Sequence, residues 1–89
     1  MLSILIPVYN YNVSSLVETL YNQALESNVI FEIICLDDCS QHFLSENQKI
    51  NQLQNCNYSV LEQNIGRSAI RNLLAKKATF ENLLFLDAD

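Results

Sequence analysis

The sequence has very few of the two residues that most often interrupt helices and strands. Its 89 positions include one proline, Pro7, and one glycine, Gly66. Because 49% of the residues are apolar, this composition excludes a disordered, collagen-like or low-complexity chain. No apolar run reaches the roughly 18 residues that a membrane-spanning helix needs. A chain of this length forms at most one domain, so we expect residues 1–89 to form a single soluble domain.

Positive charge is also scarce. The net charge is −5, charged residues make up 17% of the chain, and no lysine or arginine occurs before Lys49. A nucleic-acid surface needs a basic stripe, so we expect no nucleic-acid partner. Four of the five basic residues fall between Arg67 and Lys77. Adjacent charges near a helix end, such as Lys76 and Lys77, are typical of a solvated helix face.

The three cysteines, Cys35, Cys39 and Cys56, show no metal-binding spacing. An odd number of thiols favours a reducing compartment, and Cys35 lies in an apolar run that is typical of a protein core. The lone His42 has no candidate partner, so no catalytic role is predicted for it. No basic region precedes the first apolar run and Pro7 interrupts that run, so we expect no signal peptide. We therefore expect a cytoplasmic protein.

Four short apolar runs alternate with three helical patterns. The runs predict strands near residues 3–8, 31–37, 58–62 and 82–86, separated by helices near 14–27, near 44–54 and after Gly66. Ser15 and Glu18 have capping-box spacing, which predicts the start of the first helix. This alternation indicates an α/β fold, a Rossmann-like parallel sheet of the form β-α-β-α-β-α-β with right-handed crossovers. We predict the strand order 3-2-1-4, because it places a switch point between the first and fourth strands.

Polar side chains gather where the predicted strands end, and open α/β sheets bind their ligands there. The candidates are Pro7, Tyr9 and Asn10 after the first strand, Asp37 and Asp38 after the second, and Asp87 and Asp89 after the fourth. Four carboxylates on one rim repel one another, so such a cluster indicates a divalent cation such as Mg²⁺. The alternative for each pair is a solvated loop or a helix cap.

The third helix begins after Gly66 and faces the same rim, where a helix N-terminus favours anionic groups. Arg67 and Arg71 lie one helical turn apart, and either can reach a phosphate; the alternative for each is a surface residue. Tyr9 suits a base-stacking platform or a core aromatic equally well. The chain has neither a P-loop nor a GxGxxG motif. The residues alone therefore indicate an acidic, metal-capable cleft of nucleotide size.

Four segments, taken in order, resemble the N-terminal half of a family 2 glycosyltransferase, a GT-A fold enzyme that uses nucleotide-sugars. They are "SILIPVYN", "FEIICLDDCS", "NIGRSAIRN" and the terminal "DAD", which resembles the family's DxD motif. Two departures stand out. Cys39 replaces a usual glycine, and Ile70 and Leu74 replace usual small residues, so we expect changes in loop geometry or helix packing.

The resemblance also implies roles for individual residues. By this resemblance, Tyr9 stacks on the nucleotide base beside the main chain of Pro7. Asp38 hydrogen-bonds the base and Asp37 supports the loop that carries it. Arg71 lies near the nucleotide, Asp87 approaches the ribose, and Asp89 binds Mn²⁺ or Mg²⁺ on the diphosphate. The full-length protein is then expected to transfer a sugar, with inversion, from a nucleotide-diphosphate donor to the hydroxyl of a glycan or lipid-linked glycan. A UDP-sugar is the favoured donor, and the cytoplasmic face of the membrane is a candidate location.

The resemblance places no catalytic residue in these 89 positions, since the base that activates the acceptor follows the DxD motif. We therefore expect the chain to be the nucleotide-binding part of a longer transferase and to be inactive alone. Two alternatives remain at this point: a non-catalytic nucleotide-binding or interaction module, and a receiver-type regulatory domain. The latter normally has an acidic pair after its first strand, whereas this chain has "PVYN". We also expect self-association through an exposed edge at the fourth strand.

Overall fold

The computed structural model describes residues 1–88. Its elements, in chain order, are β1 (Leu2–Val8), α1 (Ser14–Glu26), β2 (Phe31–Asp37), α2 (Leu44–Gln48) with a following 3-10 turn (Lys49–Gln52), β3 (Cys56–Val60), α3 (Arg67–Lys77) and β4 (Asn82–Phe85). The third strand begins two residues earlier than predicted. Across the described range, no helix combines the length and apolarity needed to cross a bilayer.

The four strands form one sheet in the order β3-β2-β1-β4, and all three strand pairs are parallel. The predicted fold class and strand order are therefore confirmed. The two central strands, β1 and β2, are almost continuously apolar, as is typical of strands that are covered on both faces. The less apolar β3 lies at an edge, as its sequence indicated.

Side chains alternate across the sheet and build a core on each face. On one face, Ile4, Ile6 and Ile33 pack with Val17 of α1 and with Ile50 of the 3-10 turn. On the other face, the buried cluster comprises Leu5, Ile34, Leu36, Ile70 and Leu74, the last two from α3. Within residues 1–88 the sheet is thus the middle of three layers, and α3 is the helix that packs on its second face.

Pro7 marks the point at which β1 and β4 stop pairing. Their ladder ends where Leu5 pairs with Phe85, and the N–H of Leu86 donates to the Leu5 carbonyl oxygen at 3.0 Å. Alternate residues of a parallel strand face the same neighbour, so the next N–H toward β4 would belong to residue 7. Proline has no N–H. The two strands are therefore unpaired at their carboxyl ends, at the predicted switch point.

The start of α1 differs from the predicted capping box. The helix begins at Ser14, and no side chain caps it from the preceding residue, Val13. Asn12 instead uses Oδ1 to accept hydrogen bonds from the N–H of Ser14, at 3.1 Å, and from its hydroxyl, at 2.6 Å. Because this local turn starts the helix earlier, Ser15 lies inside the first turn and cannot act as its cap.

Candidate functional site

A cavity of about 300 Å³ opens at the carboxyl ends of β1 and β4, beside the N-terminus of α3. This volume is at the lower end of the range for small-molecule sites. Four of the predicted site residues line it: Pro7, Tyr9, Asp38 and Asp87. Residues that were not assigned to the site also line it, namely Val8, Tyr11, Asn64, Gly66, Arg67, Ile70 and Ala88.

Asp38 connects the end of β2 to the loop that leads into α3. Its carboxylate accepts hydrogen bonds from the backbone N–H groups of Ile65, at 2.7 Å, and Gly66, at 3.0 Å. Its own N–H donates to the Val8 carbonyl oxygen at 2.8 Å, and its carbonyl oxygen accepts from Nδ2 of Asn64 at 3.1 Å. Only 6% of Asp38 is exposed. Its carboxylate therefore organises the loop and also forms part of the cavity wall.

Asp37 lies behind the cavity rather than in its wall. It is fully buried, and its Oδ1 accepts the N–H of Ser40 at 2.7 Å. Its Oδ2 accepts the hydroxyl of Tyr58 from the edge strand β3. Burial raises the pKa of Tyr58, and the hydrogen bond to the Asp37 carboxylate raises it further. Asp37 thus contacts the turn after β2 and not the cavity.

The loop after β1 carries Tyr9 to the mouth of the cavity, with 58% of the residue exposed. The alternative of a core aromatic is therefore wrong. Next to it, Asn10 has a left-handed backbone, with φ at 50°. Its N–H donates to Oγ of Ser40 at 2.7 Å, and its Oδ1 accepts the N–H of Gln41 at 2.8 Å. These bonds join the loops that follow β1 and β2.

Arg71 lies beside the cavity and contacts one of its lining residues. Its Nη1 is 3.8 Å from Oδ1 of Asp87, and its guanidinium carbon is 4.4 Å from the centre of the Phe85 ring. Arg67, one turn nearer the helix N-terminus, lines the cavity directly. The structure therefore places Arg67 in the wall, and Arg71 against the acidic side chain that follows β4.

The predicted metal ligand Asp89 lies outside the described residues. Within residues 1–88, no group of three or more His, Cys, Asp or Glu side chains could hold a metal ion. The expected carboxylate rim is also smaller than predicted, because Asp37 is buried behind the wall against Tyr58. Asp38 already accepts two backbone hydrogen bonds. Both carboxylates of the Asp37–Asp38 pair are buried and accept backbone N–H groups, so the alternative of a solvated loop is wrong for this pair.

The two departures from the family pattern are accommodated differently. Cys39 adopts a left-handed backbone, with φ at 66°, so it keeps a conformation that favours glycine and carries the associated strain. Its thiol lies 3.6 Å from the Glu62 carbonyl oxygen. Ile70 and Leu74 are 2% and 0% exposed and pack against Leu5. The larger helix residues are therefore part of the core.

Sequence reasoning missed several lining residues for different reasons. Asn64 is the first residue of the segment that resembles the family motif, two residues before Gly66, and this position could have predicted that it lines the site. The sequence offers both Arg67 and Arg71 as phosphate ligands, but the resemblance points to Arg71 alone. Tyr11 carried no signal beyond its position two residues after Tyr9.

Comparison with known proteins identifies the family. Residues 3–89 match the family model described as glycosyl transferase family 2. The chain belongs to this family. Two relatives of this family 2 chain are uncharacterised glycosyltransferases of Rickettsia felis and Rickettsia conorii, each 32% identical to it. The alignments cover 98% and 99% of the chain but only 14% of each relative. Family membership excludes the receiver-type alternative.

Solved structures of TarS from S. aureus share the fold. One superimposes with a TM-score of 0.76 at 31% identity, covering 99% of this family 2 chain and 16% of TarS. TarS 1-349 in complex with UDP gives 0.75 at 32% identity, and its complex with UDP-GlcNAc gives 0.72 at 31%. Both alignments cover 99% of the chain, with 27% and 26% of the respective TarS chains. The chain thus has the fold of the nucleotide-binding region of a GT-A enzyme.

Proposed function

We propose that this chain is the UDP-sugar-binding part of a glycosyltransferase, which transfers the sugar with inversion to a hydroxyl of a glycan or lipid-linked glycan. The observation that carries the proposal is the cavity at the carboxyl ends of β1 and β4, lined by Tyr9, Asp38 and Arg67. The similar TarS structures with UDP and UDP-GlcNAc support the same ligand class. The acceptor would meet the longer protein at the cytoplasmic face of a membrane.

The lining residues suit the parts of a nucleoside diphosphate. The Tyr9 ring, exposed at the mouth, offers a face on which a base can stack. Asp38 offers a carboxylate acceptor for an N–H of the base, and Asp87 offers one for a ribose hydroxyl. Arg67 stands at the N-terminus of α3, where positive charge and free backbone N–H groups favour phosphate. Arg71 orients Asp87.

A divalent ion, Mn²⁺ or Mg²⁺, is part of the proposal. The described residues do not form a metal cluster by themselves, so Asp89 of the DxD segment and the diphosphate oxygens would supply most of the ligands. Bound there, the ion would neutralise the charge that develops on the leaving diphosphate. The base that deprotonates the acceptor belongs to a part of the protein beyond these 89 residues.

Binding without turnover is therefore the expected behaviour of this chain. UDP should bind weakly and more tightly with Mn²⁺, because a shallow cavity buries little of the ligand. Tyr9→Ala should weaken binding several-fold, since stacking on an aromatic ring is worth about 1–3 kcal/mol per base. Ile30→Ala is the matched control: Ile30 is 61% exposed but adjoins the amino end of the sheet. Isothermal titration with UDP, with and without Mn²⁺, measures the effect of the metal and the effect of each substitution on the Kd.

Two results would contradict this function. One is tight UDP binding that needs neither metal nor Tyr9. The other is sugar transfer or UDP-sugar hydrolysis by the 89-residue chain alone, because the expected base lies elsewhere.

Self-association through β4 is a further part of the proposal. In the described sheet β4 is an edge strand, and Leu83 and Leu84 are each 41% exposed. Exposed apolar edges tend to pair with another strand, so a second copy is the expected partner. Light scattering should show a dimer that Leu84→Lys weakens; a strictly monomeric mass at high concentration would contradict the proposal.

A further inference from the structure

Asn47 is a fully buried amide on the short helix α2, and both ends of its side chain contact the loop after β1. Its Oδ1 accepts the backbone N–H of Val13 at 2.8 Å, and its Nδ2 donates to the carbonyl oxygen of Tyr11, also at 2.8 Å. This single side chain thus satisfies two main-chain groups that lie more than 30 residues before it in the sequence.

The loop needs such a partner because it has no regular structure of its own. Residues 9–13 connect β1 to α1 and belong to neither element. Ser40 and Gln41 hold the first half of the loop through Asn10. Asn47 holds the second half. Buried backbone groups that lose their partners cost free energy, so the amide favours one loop conformation over others.

We propose that Asn47 is a positioning residue for nucleotide binding: by fixing the main chain at Tyr11 and Val13, it holds Tyr9 and Tyr11 in the cavity wall. Tyr11 lines the cavity and is 42% exposed, so the core does not fix its ring. Without Asn47 the loop would sample other conformations. The ligand would then bind only the fraction of molecules with the correct loop, and its apparent affinity would fall by that fraction. This inference rests on the proposed function.

Asn51 supplies a matched control from the next turn of the same segment. Its Oδ1 accepts the N–H of Tyr58 at 2.8 Å, and its Nδ2 donates to the Tyr58 carbonyl oxygen at 3.1 Å. As at Asn47, one amide makes two hydrogen bonds to main chain, but Asn51 is exposed and its Nδ2 also donates to Oε1 of Gln48 at 3.1 Å. The bonded backbone, however, belongs to β3 and not to the loop after β1.

The experiment compares Asn47→Leu and Asn51→Leu with the parent chain. Both variants should lower the Tm, because each removes two hydrogen bonds to main chain. UDP affinity, measured with Mn²⁺ well below each Tm, should fall about tenfold for Asn47→Leu, equivalent to about 1.4 kcal/mol. For Asn51→Leu the Kd should stay within about twofold. An equal Kd for the two variants would overturn the proposal, since Asn47 would then act on stability alone.

A second variant and a ligand-free readout cover the remaining outcomes. If Asn47→Leu does not fold, Asn47→Ala replaces it, with Asn51→Ala as its control, because alanine removes both the acceptor for Val13 and the donor for Tyr11 without introducing a larger side chain. Amide hydrogen exchange at Val13 should accelerate in the Asn47 variants and not in Asn51→Leu; unchanged exchange would overturn the proposal. If the parent itself binds no UDP, the proposed function fails, and the Val13 exchange still decides whether Asn47 fixes the loop.

Discussion

The carboxylate of Asp38 holds the backbone of Ile65, whose N–H donates to Oδ1 at 2.7 Å. Oδ2 makes the same contact with Gly66, which has a φ of 88° and precedes the first turn of α3. The end of β2 and the start of α3 therefore form one unit around a single side chain. A substitution at Asp38 should act on the helix N-terminus as well as on the ligand.

We first predict that Asp38→Asn loses both stability and UDP affinity. The amide keeps one acceptor and presents a donor to the second N–H, so one hydrogen bond to a charged group is lost, at a cost of about 1.5–3 kcal/mol. Urea unfolding measures the loss. Asp87→Asn is the control, because it makes the same charge change at a half-exposed side chain in an ion pair worth at most about 1 kcal/mol. Equal destabilisation by the two variants would show that the contacts to Ile65 and Gly66 contribute little.

Cys39→Gly should stabilise the chain by about 0.5–1 kcal/mol. A left-handed backbone costs a non-glycine residue about 1–2 kcal/mol, and the greater flexibility of glycine in the unfolded chain offsets part of the gain. Asn55 has the same φ of 66°, but asparagine tolerates this region better. Asn55→Gly should therefore gain less, and a larger gain at Asn55 than at Cys39 would contradict the strain argument. Chemical denaturation of both variants measures the difference.

Arg67→Gln should weaken UDP binding several-fold while leaving the Tm nearly unchanged. Arg67 lines the cavity at the N-terminus of α3 and attracts the diphosphate. Lys76→Gln removes the same charge from the last turn of the same helix, away from the cavity, and should leave the Kd within about twofold. Titrations at low and high salt should show the Arg67 effect shrinking as salt rises. If the two variants weaken binding equally, net charge rather than position explains the effect.

The stability contributed by Glu32 should depend on pH. Burial alone would raise the pKa of Glu32, but hydrogen bonds from Ser3 and from both the backbone and the hydroxyl of Thr79 outweigh it, so the pKa lies below its ordinary value of 4.5. Because the folded pKa is lower than the unfolded one, the ionised carboxylate stabilises the fold above pH 4.5. This stabilisation is lost as the pH falls through the folded pKa.

Glu32→Gln separates this effect from general acid unfolding. The difference in unfolding free energy between the parent and the variant should be constant near neutral pH and should shrink as the pH falls below 4.5. Denaturation curves at several pH values measure it. A difference that grows toward acid pH would mean that the folded state raises the pKa of Glu32.

Much of the fold could be predicted from the sequence because its central strands are continuous apolar runs. Leu5 and Leu36, for example, lie within such runs and are fully buried. The position of Asp38 at a strand end was predictable for the same reason. Its partners Ile65 and Gly66 were not, since a contact across 27 or 28 residues depends on how two loops fold. The start of α1 near residue 14 was predicted correctly, but its capping by Ser15 was not, because Asn12 forms the competing local turn.

Asn47 shows where sequence reasoning fails most clearly. It lies in a polar stretch with a weak helical pattern, and asparagine is usually exposed. Nothing near it in sequence indicates burial, because its partners Tyr11 and Val13 come from another loop. The polar residues that shape the site are therefore harder to predict than the apolar residues that build the sheet.

The pairing of β1 with β4 has a consequence for synthesis on the ribosome. Leu2 pairs with Phe31 on one side and with Asn82 on the other, so β1 must wait for β4, which is made after β2 and β3. During synthesis β1 can pair with β2 early, but its other edge stays open until residues 82–85 have emerged. The most apolar strand of the sheet thus keeps one edge open while the residues between β1 and β4 are made, and open strand edges of nascent chains are prone to aggregate. A nascent chain stalled before Asn82 would present β1 as its sheet edge.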